Sequence, residues 1–158
     1  MKKVVLSLGS NLLDRANNLL RARDLIKLRI GEIQAASRID ETVSWGFDSA
    51  PFLNQVLVVT TNLSPEEVLL ATKSIEKALG RTEKSGRDAT GNSVYHDRII
   101  DIDILLFEGE TRMSPELTIP HPHINKRKFV LEPLSELFGN QVIEPFNISF
   151  RQMLSKLS

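Results

Sequence analysis

The chain of 158 residues contains no cysteine, which excludes disulfides, thiolate metal sites and thiol catalysis and agrees with a reducing compartment. It lacks net charge as well: 20 Lys plus Arg stand against 20 Asp plus Glu. No global field therefore favours nucleic acid or an anionic membrane, and any polyanion site has to be local. Aromatic residues are scarce, with one Trp and one Tyr, so the chain has no Trp- or Tyr-rich stacking surface, and it has no continuous basic stripe of the kind nucleic-acid binding favours. No apolar run approaches the roughly 20 residues of a membrane helix. Lys2 and Lys3 followed by Val4 to Leu8 imitate the start of a signal peptide, but Gly9-Ser10-Asn11 breaks the run, so no targeting segment is expected. Internal repeats and low-complexity tracts are also missing. What is present, 41% hydrophobic residues, suffices for one core in a chain too short for two. The expectation is a single domain over 1–158, cytoplasmic and monomeric, with small molecules as partners.

Lys3 to Leu8 reads as a buried strand ending at the Gly9-Ser10-Asn11 turn. Leu12, Ala16, Leu19, Ala22, Ile26 and Ile30 then recur at steps of three and four, one stripe of a helix closed by Gly31. Ile33 to about Ile39 and Leu53 to Thr61 are β-branched strands around a long loop punctuated by Gly46, Asp48, Ser49 and Pro51. Ser64-Pro65-Glu66-Glu67 is a helix start with a capping box, leading to the stripe Val68, Ala71, Thr72, Ile75, Ala78 and Leu79, and Gly80 ends that helix in a left-handed conformation. Arg81 to Asp97 has no sustained period and reads as a mobile loop. Arg98 to Phe107 is a strand, a helix is expected around Ile124 to Leu131 before Pro133, and a last one starts at Ser149 with Gln152 as capping partner. This order predicts an α+β, ferredoxin-like split βαβ fold, an antiparallel sheet with its helices packed on one face and long catalytic loops. Such a fold hosts many activities and does not select one.

Chemistry concentrates in Ile100-Asp101-Ile102-Asp103-Ile104. The two-residue period of a strand sends both carboxylates to one face, roughly 6.6 Å apart at about 3.3 Å per residue. From that span two carboxylates converge on one or two hard cations, and oxygen ligands that leave room for water and phosphates suit magnesium in an ATP site. A strand with one wet face would alternate Asp and Ile equally well without metal. Leu105 and Phe107 fall on the aspartates' side of the alternation, which argues for a face turned to a cleft. Positive charge gathers nearby in sequence: Arg81, Lys84, Arg87 and Arg98, then Lys126-Arg127-Lys128 ahead of Phe129. Guanidinium groups match phosphate oxygens and neutralise charge that develops during phosphoryl transfer. His121, between Pro120 and Pro122, is either a donor to a phosphate or leaving oxygen or a lone surface histidine. Asp-x-Asp with arginines also serves metal-dependent nucleases and nucleotide-sugar transferases, and a non-catalytic regulatory domain of the same fold would merely expose Asp101 and Asp103.

Leu8-Gly9-Ser10-Asn11, Phe52-Leu53-Asn54, Gly80-Arg81, the long run Asp97-Arg98-Ile99-Ile100-Asp101-Ile102-Asp103-Ile104-Leu105-Leu106-Phe107, and Ile119-Pro120-His121 with Arg127 and Phe129 occur in this order. Together they resemble the hydroxymethyl-dihydropterin pyrophosphokinase family over nearly the whole chain. The resemblance implies transfer of the β,γ-pyrophosphoryl unit of ATP to the hydroxymethyl group of 6-hydroxymethyl-7,8-dihydropterin, with release of AMP, in folate biosynthesis, and it implies two magnesium ions. It further implies that Asp101 and Asp103 hold the metals and that Arg81, Lys84, Arg98, His121 and Arg127 face the phosphates. Glu76, Tyr95, Ile104 and Thr118 would serve the nucleotide. The pterin would lie between Phe52 and Phe129, its hydrogen-bonding edge read by Asn54 and by the backbone around Thr42 to Trp45.

Overall fold

The computed structural model describes residues 1–42, 51–81 and 99–157, with Arg81 described by its backbone alone. Strand β1 (Lys2–Ser10) lies at the centre of the main sheet, antiparallel to β4 (Phe52–Thr61) on one side and to β5 (Asp101–Phe107) on the other. The far edge is divided: β2 (Gly31–Ala36) pairs with the end of β4 and β3 (Asp40–Thr42) with its start. The order β2-β4-β1-β5 is that of the expected split βαβ arrangement. Ser37 bridges the gap in the edge: its N–H donates to the Val56 carbonyl (2.9 Å), its hydroxyl accepts the Val56 N–H (3.0 Å), and its carbonyl accepts from the buried Gln55 amide (2.8 Å).

Helices cover both faces of the sheet rather than one. Period-two alternation makes β1 apolar on both sides, Val4, Leu6 and Leu8 facing one way and Val5 the other. The first set forms a core with α1 (Arg15–Arg29) through Leu19, Ala22 and Ile26, and with α2 (Pro65–Glu76) through Val68 and Ile75. The second face, with Val5, Val56, Val58 and Leu105, is closed by α3 (Lys128–Phe138) and α4 (Phe150–Leu157) through Val130, Leu131, Leu134, Phe150 and Met153. Left open, that second apolar face would cost about 25 cal/mol for each Å², so the C-terminal third of the chain folds over it.

Other expectations change in detail. Helix α1 starts later than its stripe suggests, capped by Asp14, whose carboxylate accepts the Asn17 N–H (3.1 Å), so Ala16 is exposed and Asn18 is buried in its place. In α2 the capping box of Ser64 and Glu67 forms as expected and Glu76 is buried beside Ile75, whereas Ala78 falls in the turn after the helix and is exposed. Gly80, at φ 114°, breaks the following turn as expected. Pro133 lies inside α3, the sixth of its eleven residues, instead of ending it, and the helix forgoes the hydrogen bond that its ring nitrogen cannot donate. The expected helix around Ile124 is a single 3₁₀ turn, Ile124–Lys126, before α3. The last helix follows its Ser149 and Gln152 capping pair. The tract with Pro115, Pro120 and Pro122 holds only β6 (Arg112–Met113) and β7 (Thr118–Ile119), and β8 (Val142–Ile143) pairs with β9 (Ile148–Ser149) before α4. The loop from Arg81 to Asp97 lies, beyond Arg81, outside the described residues.

Gly31 does not end α1 in a left-handed conformation; it opens β2, where a Cβ would stand 1.8 Å from the Thr60 carbonyl oxygen. The glycine is required by close backbone approach. Gly31→Ala should therefore force β2 away from β4 and cost about 1–3 kcal/mol, the usual penalty of overpacking. A thermal melt should show a loss of roughly 2–4 °C per kcal/mol, and an unchanged melting temperature would contradict this account.

Candidate active site

The site grows from the register of β1. Gly9 lies opposite both Asn54 of β4 and Asp101 of β5, and Ser7 lies opposite Val56 and Asp103. These rows place Asn54, Gly9, Asp101, Ser7 and Asp103 on the sheet's second face, beyond the part that α3 and α4 cover around Val5 and Val58. The residues beneath and between the aspartates, Gly9 and Ser7, are both small, so the floor is low. A Cβ at Gly9 would meet Asn54 Oδ1 at 3.2 Å and the Phe52 ring at 3.5 Å, which shows how closely both side chains lie over that glycine. Asn54 Nδ2 donates to Thr42 Oγ1 (2.7 Å), so Thr42, Phe52 and Asn54 form one polar and aromatic rim.

A second wall stands over Asp103. Ser7, Asp103, Leu105, His121, Arg127 and Phe129 line a common cleft together with His123, Ile124 and Val130. His121 is anchored by its backbone N–H, which donates to the Leu105 carbonyl (2.9 Å). The His123 N–H donates to His121 Nδ1 (3.2 Å), so Nδ1 carries the lone pair and the ring proton of the neutral imidazole sits on Nε2. Burial pushes His121 below its ordinary value; the Asp103 carboxylate pulls the other way, and Arg127 and His123 add to the depression. The Arg127 guanidinium lies 5.8 Å from the centroid of the half-buried Phe129 ring, a cation–π distance.

The alternation that put Phe107 beside the aspartates fails at a bulge. Val5 pairs with Leu106 and Leu6 with Ile104, so Leu105 is the extra residue. Leu105 and Leu106 both pack in the second core, whereas Phe107 turns into the first. Only Leu105 of the two shares the aspartates' face. The strand itself begins at Asp101 rather than Arg98.

Of the remaining expected site residues, Ile104 is buried with its side chain in the first core, Glu76 is 2% exposed with its Oε2 accepting the Ile102 N–H (2.8 Å), and Thr118 is half-buried on β7. Trp45, Lys84, Tyr95 and Arg98 lie outside the described residues. Sequence reasoning passed over Ser7, His123 and Asn18. Asn18 had a signal, since Asn18, Ala22 and Ile26 continue one stripe at steps of four.

Among the described residues no cluster of three or more His, Cys, Asp or Glu could hold a metal on its own. Two carboxylates over a floor of Gly9 and Ser7 fit a magnesium ion that keeps water and phosphate in its other positions. A family model described as 7,8-dihydro-6-hydroxymethylpterin-pyrophosphokinase matches residues 5–139. The chain belongs to this pterin pyrophosphokinase family. The activity of the family is pyrophosphoryl transfer from ATP to hydroxymethyldihydropterin in folate biosynthesis. A curated relative named 2-amino-4-hydroxy-6-hydroxymethyldihydropteridine pyrophosphokinase, from Porphyromonas gingivalis, is 47% identical over 139 residues, covering 87% of this chain and 91% of the relative. A protein of the same name from Aquifex aeolicus is 40% identical over 146 residues, covering 92% and 85%. The fold matches the crystal structure of wild-type Plasmodium falciparum HPPK-DHPS with pterin and p-hydroxybenzoate at a TM-score of 0.75 and 19% identity, over 98% of this chain and 43% of that longer one. No described helix is long and apolar enough to cross a membrane.

The state of His121 gives the site a pH signature. Because its folded value lies below the ordinary 6.5, the unfolded chain binds more protons in the window just beneath 6.5. The stability that the neutral ring contributes is then complete above that pH and declines as pH falls through the window. NMR titration of the free protein should place His121 below 6.5, and Asp103→Asn should lower it further by removing the opposing carboxylate. A value above 6.5 would mean that Asp103 outweighs burial.

Proposed function

We propose that the cleft beside Asp101 and Asp103 is where this chain carries out its family's reaction, moving the β,γ-pyrophosphoryl unit of ATP to the hydroxymethyl oxygen of 6-hydroxymethyl-7,8-dihydropterin and releasing AMP. The observation that carries the proposal is the single row Asn54, Gly9, Asp101, which sets a polar rim beside the aspartates, while His121, Arg127 and Phe129 line a cleft with Asp103. Asp101 and Asp103 would hold two magnesium ions. When bound, magnesium would neutralise phosphate charge and template the attacking and leaving oxygens. Arg127 and the Nε2–H of His121 would donate to phosphate oxygens, joined by Arg81, Lys84 and Arg98; a neutral His121 with a fixed tautomer donates without bringing its own positive charge. Tyr95, Ile104 and Thr118 would lie on the nucleotide side. Phe52 and Phe129 would flank the pterin ring, whose apolar faces suit aromatic stacking and whose amide-like edge suits the side-chain amide of Asn54 and the segment from Thr42 to Trp45. We propose a cytoplasmic monomer.

The decisive experiment mixes ATP, the pterin alcohol and magnesium and identifies the nucleotide product. AMP should appear in step with the pterin diphosphate; ADP as the product would refute pyrophosphoryl transfer. In the same assay Asp101→Ala and Asp103→Ala should each lose most turnover with melting temperatures near that of the parent, because these carboxylates stand on an open face and not in either core. Near-normal turnover at saturating magnesium would remove them from the reaction.

Phe129→Ala should weaken pterin binding by about 1–3 kcal/mol, if aromatic stacking on a nucleic-acid base is a fair guide, and ATP binding much less. Calorimetric titration of each ligand separates the two. Equal losses, accompanied by a large fall in melting temperature, would assign Phe129 to core packing alone.

A further inference from the structure

We infer that Glu76, together with Ser10 held by Asn18, positions the Asp-x-Asp strand at two points, and that these residues act on the reaction through Asp101 and Asp103 without touching substrate. The inference rests on those aspartates being the magnesium carboxylates. Among the described residues strand β5 is an edge, paired with β1 on one side only, and it is bulged at Leu105. Edge strands with bulges are the adaptable parts of a sheet, whereas magnesium demands near-ideal octahedral geometry at about 2.0–2.1 Å. Something has to hold the ligands still.

Two buried polar contacts do so. Ser10, fully buried, donates its hydroxyl to the Ile99 carbonyl (2.6 Å), two residues before Asp101. Asn18, on α1, fixes that hydroxyl by donating from Nδ2 to Ser10 Oγ (3.1 Å) and to the Leu12 carbonyl (2.9 Å). Three residues further along the chain Glu76, 2% exposed, accepts the N–H of Ile102, the residue between the two aspartates. Packing does not explain a carboxylate there: its neighbour Ile75 fills the same core with hydrocarbon, and burying a charged group is costly unless it is hydrogen-bonded. The Ile102 amide gives that carboxylate a hydrogen-bond partner on the metal strand. Residues 99–102 are thereby fixed to α1 and α2, and outer partners that orient metal ligands are typically worth 10–100-fold in metal affinity or activity.

The test compares Glu76→Ala, Glu76→Gln and Ser10→Ala. In the free protein, with neither magnesium nor nucleotide, hydrogen exchange by NMR should show the Ile102 amide of Glu76→Ala exchanging roughly tenfold faster or more, while Leu57 and Val59 in the sheet centre keep their protection relative to global stability. Glu76→Gln, which retains a carbonyl acceptor, should restore most of the Ile102 protection. In turnover, Glu76→Ala and Ser10→Ala should each raise the magnesium concentration for half-maximal activity by about tenfold, with KM for ATP at saturating magnesium little changed. Unchanged protection at Ile102 overturns the inference. So does equal loss of protection at Ile102, Leu57 and Val59, which makes Glu76 merely structural, or a raised KM for ATP with an unchanged magnesium response, which makes it a nucleotide contact. If Glu76→Ala does not fold, an unchanged magnesium response in Ser10→Ala overturns it equally. Retained turnover in Asp101→Ala and Asp103→Ala would instead refute the metal assignment, and the exchange result at Ile102 would be unaffected.

Discussion

Strand β1 has to satisfy three neighbours with one alternating sequence, and the site follows from how it does so. Its even residues Val4, Leu6 and Leu8 are fully committed to the core under α1 and α2. Its odd residues change character along the strand, from Val5 beneath α3 and α4 to Ser7 and Gly9, which are half-buried. A strand cannot change a side chain's face without changing register, so the shift from large to small on one face is also a shift from covered sheet to binding floor. Any side chain at Gly9 would press on Asn54 and Phe52, and any larger one at Ser7 would intrude on the cleft with Asp103 and His121.

Much of this was legible from period and punctuation. The central strand, the capping boxes at Ser64 and Ser149, the left-handed Gly80 and the common face of Asp101 and Asp103 are local properties, fixed by residues close in sequence. The family motifs likewise lie in contiguous runs. What escaped depends on partners distant in the chain. The bulge at Leu105 arises where β5 meets β1, nearly a hundred residues earlier, and it alone moved Phe107 to the other core. Gly31 looked like a helix end because helix punctuation is local, whereas the requirement for it comes from Thr60 across the sheet. Placing all helices on one face followed from reading the first six elements as the whole fold; the apolar Val5, Val56 and Val58 required a second cover that only the C-terminal third of the chain could supply.

Charge is distributed along the same axis. At the far end of β1, Lys2 pairs with Glu110 (2.7 Å), and Arg112 bridges Glu110 (3.0 Å) and Glu66 (2.5 Å). Hydrogen bonds from Lys2 and then Arg112 hold Glu110 below the usual carboxylate range, and Arg112 does the same for Glu66. These are exposed pairs that satisfy one another locally. At the Gly9 end the arrangement is different: Arg127 lies against an aromatic ring, and burial pushes His121 below its ordinary value with one nitrogen already engaged. A chain with no net charge can present a polyanion with a positive field only by matching charges in one region and keeping donors in another. The separation spans seven residues of β1, roughly 23 Å at about 3.3 Å per residue, well beyond the Debye length of about 8 Å at physiological ionic strength. Solvent-exposed charges at the two ends of the strand are therefore largely screened from one another, and the field at Asp101 and Asp103 is set by the groups within the cleft itself.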